Sequence, residues 1–323
     1  MAWLRPFVAA TALLLFACGG APSDSAEDDE AVNVEGLTEE DAERAAARAL
    51  ANANARHLDF ERGEGGGGAA GVRPASIDLG GDLGAGTWAY DLRVTTDGRT
   101  STSLGSGNTE TPVMAASTFK LFTGFAAFAN KTVQTPTLAY MLRTSSNPLA
   151  NFAMCKNGVA LGEYRATCKS VTNATAAMKM PTAIAETLAW HREQGEKLST
   201  GITMVDGSGL KMENKLLVGD LVEVLMAGRR HADYAKWKDL LAQPGVSSTL
   251  MTRFPGYEGK LFAKTGTYFD DGGGVKSLAG YVELSNNRTL VFAIVGNGVG
   301  DPKVALDRIE KGLLRAVAEA EVN

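Results

Sequence analysis

The chain has 323 residues, 45% of them hydrophobic and 21% charged, with a formal net charge of −5 and a pI near 5.4. That length holds one large domain or two small ones, and the charge balance leaves no basic footprint for nucleic acid. With three histidines, three cysteines and no C-x-x-C pair, a metal site has little support and no cofactor is called for.

Arg5 precedes an apolar run, Phe7 to Phe16, too short to span a bilayer as a mature helix. A charged start followed by a short apolar stretch predicts a secretory signal over residues 1–17. Leu15-Phe16-Ala17-Cys18 resembles a bacterial lipobox, which makes Cys18 the expected lipidation site. Two or more acyl chains anchor stably, each buried methylene contributing about 0.8 kcal/mol. Residues 18–37 are small, polar and acidic, the composition of a disordered tether. Residues 38–75 open on Thr38-Glu39-Glu40-Asp41, a capping-box pattern, and continue as an Ala-rich helix to about Leu58. They end in the flexible glycine-rich stretch Gly63–Gly71. No later run is long and apolar enough for a transmembrane helix. Export favours a disulfide between Cys155 and Cys168 over two free thiols, contributing about 3 kcal/mol in the chain-entropy picture.

The remaining 76–323 form the domain proper. Trp88 to Val94 reads as a strand, Thr95-Thr96-Asp97-Gly98 as a D-G hairpin turn, and a short return strand follows. A buried helix then starts at Ser117, and a further helix spans about 136–143, ending at Thr144-Ser145-Ser146-Asn147-Pro148. Pro181 to Gly195 has proline at its start and glycine at its end, and Ile202 to Val205 reads as a short strand. Leu216 to Met226 is an amphipathic helix. Strands over 260–264, 278–283 and 289–295, with a turn at Asn286-Asn287, precede a last helix from Pro302 to about Ala320. Strands at both ends with helices between predict an α/β (α+β) fold, an antiparallel sheet completed by N- and C-terminal segments beside a helical region. There is no internal repeat.

Three short motifs stand in order: Ser117-x-x-Lys120, Ser145-x-Asn147 and Lys264-Thr265-Gly266-Thr267. Phe119 to Phe128 is apolar on almost every side, as a core helix is, and a lysine there is unfavourable unless its charge is paired or lost. Ser117 and Lys120, three apart, share a helical face, so a desolvated amine can activate the hydroxyl as nucleophile. Burial and the like charge of Lys264 would lower the Lys120 pKa. Ser145 can bridge Lys120 to a leaving nitrogen, and Asn147 can bind a substrate backbone. Lys264 offers a cation to a terminal carboxylate, with Thr265 and Thr267 adding hydroxyls. Gly266 lets the strand come close to a ligand, and the N–H groups of Ser117 and Thr267 would form an oxyanion hole.

Flanking residues extend these motifs. Ala115-Ala116-Ser117-Thr118-Phe119-Lys120-Leu121-Phe122-Thr123, Met141-Leu142 before Ser145-Ser146-Asn147, Val205-Asp206-Gly207-Ser208-Gly209-Leu210 and Val275 to Val282 after the K-T-G all contribute. Over roughly residues 86–316 the chain resembles the serine-type D-Ala-D-Ala carboxypeptidase/endopeptidases, the class C low-molecular-mass penicillin-binding proteins. The D-G-S-G-L segment is the most discriminating part, since β-lactamases generally lack it, and Asp206 is assigned no chemical role here. The resemblance implies a β-lactamase/transpeptidase-like fold and a periplasmic, penicillin-binding serine peptidase acting on peptidoglycan stem peptides. Two departures stand out: Ser117 to Ser145 is only 145 − 117 = 28 positions, where the family often inserts whole domains, and Tyr268–Gly274 makes a long loop after Thr267. Lys211 also follows D-G-S-G-L where a serine is usual. The rival readings are a β-lactamase on the same scaffold and a non-catalytic cell-wall-binding lipoprotein with a vestigial site.

Overall fold

The computed structural model describes residues 77–161, 180–270 and 273–322. The signal with Cys18, the acidic tether, the Ala-rich helix with its glycine-rich linker, and Cys168 all lie outside these residues. Cys155 is buried and disulfide-bonded. In chain order the elements begin with α1 (Gly80–Leu83), β1 (Thr87–Thr95), β2 (Thr102–Gly107) and a 3₁₀ turn (Ala116–Phe119). Six helices follow: α2 (Lys120–Ala129), α3 (Thr135–Arg143), α4 (Asn147–Leu161), α5 (Met180–Glu193), α6 (Val218–Arg230) and α7 (Tyr234–Lys238). The chain closes with β3 (Leu261–Asp270), β4 (Gly273–Glu283), β5 (Thr289–Asn297) and α8 (Pro302–Val322).

Leu290 to Val295 is an unbroken apolar run, and β5 is accordingly buried on both faces, as a central strand is. The sheet order is β2-β1-β5-β4-β3, antiparallel throughout. The N-terminal hairpin therefore docks on the last strand, from Thr87 opposite Asn297 to Thr95 opposite Thr289. This is the predicted sheet, completed from both ends of the domain. One face carries α8, whose Ala305, Ile309, Leu313 and Ala316 pack with Leu92, Leu278 and Phe292. The other face carries the remaining longer helices, packed on Ala89, Phe262, Ala279 and Val291.

Four local readings differ from expectation. The β1–β2 connection runs over 96–101 rather than as a two-residue turn, because Asp97 Oδ1 accepts the N–H groups of Arg99 and Thr100 and holds a wider turn. Tyr268 and Phe269 are strand, paired with Val275 and Gly274, so most of the expected loop lengthens the β3–β4 hairpin. Ile202–Val205 contributes only an isolated bridge, Thr203 to Lys215. Finally, Asn147-Pro148 opens the long helix α4: proline at a helix start gives up an N–H with no intrahelical partner, so the same letters serve a turn or a helix.

Candidate active site

The chain enters the site through Met114. Asn297, the last residue of β5, clasps its backbone from both sides, accepting the Met114 N–H at 2.9 Å and donating to its carbonyl at 2.8 Å. Ala116 then takes φ +47, a left-handed conformation that side chains disfavour by about 1–2 kcal/mol. The 3₁₀ turn follows, so the α-helix proper begins at Lys120 and not at Ser117. Ser117 is left partly exposed while Thr118, Phe119 and Lys120 are buried. β3 lies hard against this turn: a Cβ on Gly266 would sit 2.2 Å from Ser277 Oγ, 2.7 Å from the Ala115 carbonyl oxygen and 3.1 Å from the Ser117 nitrogen. Ser277 Oγ ties the sheet to the turn by donating to that same carbonyl at 2.7 Å.

Lys120 is fully buried. Its amine lies 2.7 Å from Ser117 Oγ, 2.6 Å from Asn147 Oδ1 and 2.9 Å from the Ser208 carbonyl oxygen. Burial holds its pKa well below the ordinary lysine range, the like charge of Lys264 lowers it further, and Asp206 acts in the opposite direction. A neutral amine has two N–H donors and one lone pair. Asn147 Oδ1 and the Ser208 carbonyl can only accept, so they take the two donors and leave the lone pair facing the Ser117 hydroxyl. That is the arrangement of a base beside a nucleophile.

Ser145 stands at φ +62, a second left-handed residue at the site, just before α4. Its Oγ accepts from Lys264 Nζ at 2.8 Å, so it is joined to Lys264 rather than to Lys120, as the motifs alone suggested. Because Oγ accepts from Lys264, its own proton can be donated elsewhere. Lys264 is fully buried and also donates to the Thr265 carbonyl at 2.7 Å; its position beside Lys120 and Ser145 is internal to the site. Asn147, expected to bind substrate backbone, uses its Oδ1 to orient Lys120.

Strand β3 forms the outer edge of the sheet. Ala263 exchanges both its backbone hydrogen bonds with Ala242, outside β4, at 2.9 Å each. Alternation along the strand then aims the N–H of Thr267 away from β4 as well, on the side where Ser117 lies, as the second donor of an oxyanion hole requires. The Thr265 hydroxyl donates to Thr249 Oγ1 at 2.8 Å. The Thr267 hydroxyl accepts from Lys276 Nζ at 2.6 Å, and Lys276, directly across on β4, is 7% exposed. Reading the sequence passed over Lys276 and the part played by the D-G-S-G-L loop; the cross-strand register of Thr267 and Lys276 could have signalled the first. Among the described residues there is no cluster of His, Cys, Asp or Glu able to hold a metal.

Residues 138–318 match the D-Ala-D-Ala carboxypeptidase 3 (S13) family, a match that begins after Ser117 and Lys120, whose pairing is carried by the geometry above. The carboxypeptidase DacB of Mycolicibacterium smegmatis is 34% identical over 120 residues, covering 34% of this chain and 25% of the relative. The chain thus spans about a quarter of the length of that curated relative. Among solved structures, penicillin-binding protein 4 (dacB) of Haemophilus influenzae in complex with a β-lactam is similar with TM-score 0.45 and 21% identity, over 55% of this chain and 40% of that one. Cefotaxime-bound penicillin-binding protein D2 of Listeria monocytogenes is similar with TM-score 0.49 and 16% identity, over 71% and 96% of the two chains. Since the matched residues make up more than half of the chain, it belongs to the D-Ala-D-Ala carboxypeptidase 3 (S13) family.

Proposed function

We propose that the protein is a serine-type D-Ala-D-Ala carboxypeptidase that cleaves peptidoglycan stem peptides through an acyl-enzyme on Ser117. The observation that carries this reading is the Lys120 amine, buried and set 2.7 Å from Ser117 Oγ with its other two contacts on pure acceptors. In the proposed reaction Ser117 Oγ attacks the carbonyl of the penultimate D-Ala and its proton passes to Lys120 Nζ. The oxyanion is held by the N–H groups of Ser117 and Thr267. Collapse breaks the amide bond: the leaving amine takes the proton of Ser145 Oγ, which is replaced from Lys264 Nζ. Water then hydrolyses the ester, its proton passing through Ser145 to Lys264 while the proton held on Lys120 returns to Ser117 Oγ. A β-lactam ring presents the same amide carbonyl and stops at the acyl-enzyme. Export, anchoring through lipid on Cys18 and a periplasmic location complete the proposal; they rest on the lipobox and the signal pattern of the sequence.

The direct test is incubation of the purified protein with muropeptides ending in D-Ala-D-Ala, with release of D-alanine as the expected result. Mass spectrometry after penicillin treatment is expected to place the adduct on Ser117. Absence of both would leave a cell-wall-binding lipoprotein as the reading, and release of the penicilloyl group within seconds would turn it to a β-lactamase. The low pKa of Lys120 gives a pH prediction with a definite sign. The acylation rate requires the neutral amine, so it should rise with pH and level off well below the ordinary lysine value of about 10.4. Burial is the first cause of that displacement and Lys264 the second. A rate still climbing steeply above pH 10 would show that Lys120 is not the base.

A further inference from the structure

The D-G-S-G-L segment contacts the machinery at several points. Gly207 is pinned by its N–H on Asn151 Oδ1 at 3.0 Å and by its carbonyl, which accepts from Thr123 Oγ1 at 2.7 Å. The Ser208 carbonyl accepts from the Lys120 amine at 2.9 Å. Gly209, at φ +79, lies against Ala116, where a Cβ would come 2.1 Å from the carbonyl oxygen. One side chain builds this loop. Asp206 Oδ1 accepts from the Ser208 N–H at 2.7 Å, the Ser208 hydroxyl at 2.9 Å and the Gly209 N–H at 2.5 Å. Its Oδ2 accepts from the Lys211 N–H at 2.9 Å and from Asn214 Nδ2 at 3.2 Å.

We infer that Asp206 is a positioning residue for acylation: its carboxylate folds the 206–214 loop so that the Ser208 carbonyl meets the Lys120 amine and turns its lone pair to Ser117. The inference rests on the carboxypeptidase reading above and adds a residue to it. Five donors converge on one buried carboxylate, an arrangement that strongly orders a short loop. Burial pushes the Asp206 pKa up, but the hydrogen bonds from Lys211, Ser208 and Gly209 outweigh it and hold the group below the usual carboxylate value. The carboxylate is therefore charged whenever the enzyme works. Among the described residues two charges bear on the Lys120 amine, Lys264 on β3 from one side and Asp206 on this loop from the other. Asp206 opposes the other two influences, burial and Lys264, so removing its charge makes the amine easier to deprotonate.

The test measures acylation by a fluorescent penicillin against pH for the wild type, Asp206→Asn and Asn214→Ala, with thermal unfolding of each. For Asp206→Asn the plateau rate should fall about a hundredfold, the scale of a misplaced reactive group, and the acid limb should move to lower pH. Asn214→Ala removes one donor to Asp206 and keeps the charge, so a smaller fall with an unmoved acid limb is expected. A plateau within twofold of wild type in Asp206→Asn would overturn the inference. So would a reduced plateau with the acid limb in place, the mark of a residue that only folds its loop. If Asp206→Asn does not fold, Asn214→Ala decides alone: a slowed rate at unchanged melting temperature supports the inference and an unchanged rate overturns it. A wild type that penicillin does not label at any pH would overturn the carboxypeptidase reading and the inference together. A labelled wild type beside an unaffected Asp206→Asn would overturn the inference alone.

Discussion

Lys120→Ala is expected to slow acylation of the protein by penicillin by four to six orders of magnitude, and Ser117→Ala to abolish it. Nucleophile and base act as a unit, and removing either has an effect of about a million-fold in a comparable serine enzyme. The geometry explains why no neighbour substitutes. Two further amines lie near the site, but Lys264 Nζ is directed to Ser145 Oγ and the Thr265 carbonyl, and Lys276 Nζ to the Thr267 hydroxyl. A water donating to Asn147 Oδ1 and the Ser208 carbonyl in place of the amine would be a far weaker base than a neutral amine. Stopped-flow or gel-based labelling of the two variants beside wild type measures the effect. A Lys120→Ala protein labelled within tenfold of the wild-type rate would show that the proton goes elsewhere. Removing the buried amine also leaves Asn147 Oδ1 and the Ser208 carbonyl without this donor, so some loss of stability, about 1–3 kcal/mol per unsatisfied group, accompanies it.

Gly266→Ala is expected to reduce acylation by about 10²–10³-fold, the scale of losing one oxyanion donor. The added Cβ would meet Ser277 Oγ at 2.2 Å and the Ala115 carbonyl oxygen at 2.7 Å. The hydroxyl can rotate away; the carbonyl is backbone, inside a turn held by Asn297 and Thr118, and cannot. The edge strand must then move off the turn and carry the Thr267 N–H with it. Overpacking of this kind lowers stability by about 1–3 kcal/mol, so the variant should fold, with a reduced melting temperature. Adding Ser277→Ala removes only the clash that could yield anyway, and the double variant should stay slow. Full recovery in the double variant, or a wild-type rate in Gly266→Ala alone, would mean that β3 does not set the oxyanion hole.

Much of this was legible in the sequence because the elements are strongly patterned. Thr289 to Val295 reads as a strand after the turn at Asn286-Asn287, and the three motifs name Ser117, Lys120, Ser145 and Lys264 as a group. What the letters did not carry is which partner each group takes. Ser145 was paired with Lys120 by motif logic, yet the left-handed backbone at Ser145 aims its Oγ at Lys264. Neither Ser145 nor Ala116 is a residue type that advertises such a conformation. Asp206 was passed over because a D-G-S-G string reads equally well as a plain turn; its importance lies in a carbonyl, that of Ser208, and carbonyls leave no mark in a sequence. Helix α4 was missed because proline after Ser-Ser-Asn signals a stop and a start alike.

The Asn297 clasp on Met114 makes the nucleophile's turn dependent on the far end of the domain. The turn bearing Ser117 receives this restraint from the final residue of the final strand, 183 positions away, and β1 has no inner neighbour until that strand is in place. Contacts of such long sequence separation are associated with slow folding. A chain stopped before Thr289 would contain Ser117, Lys120, Ser145 and Lys264 without the strand that joins the hairpin to the rest of the sheet. The working position of the reactive serine therefore depends on residues that the C-terminal end of the domain supplies.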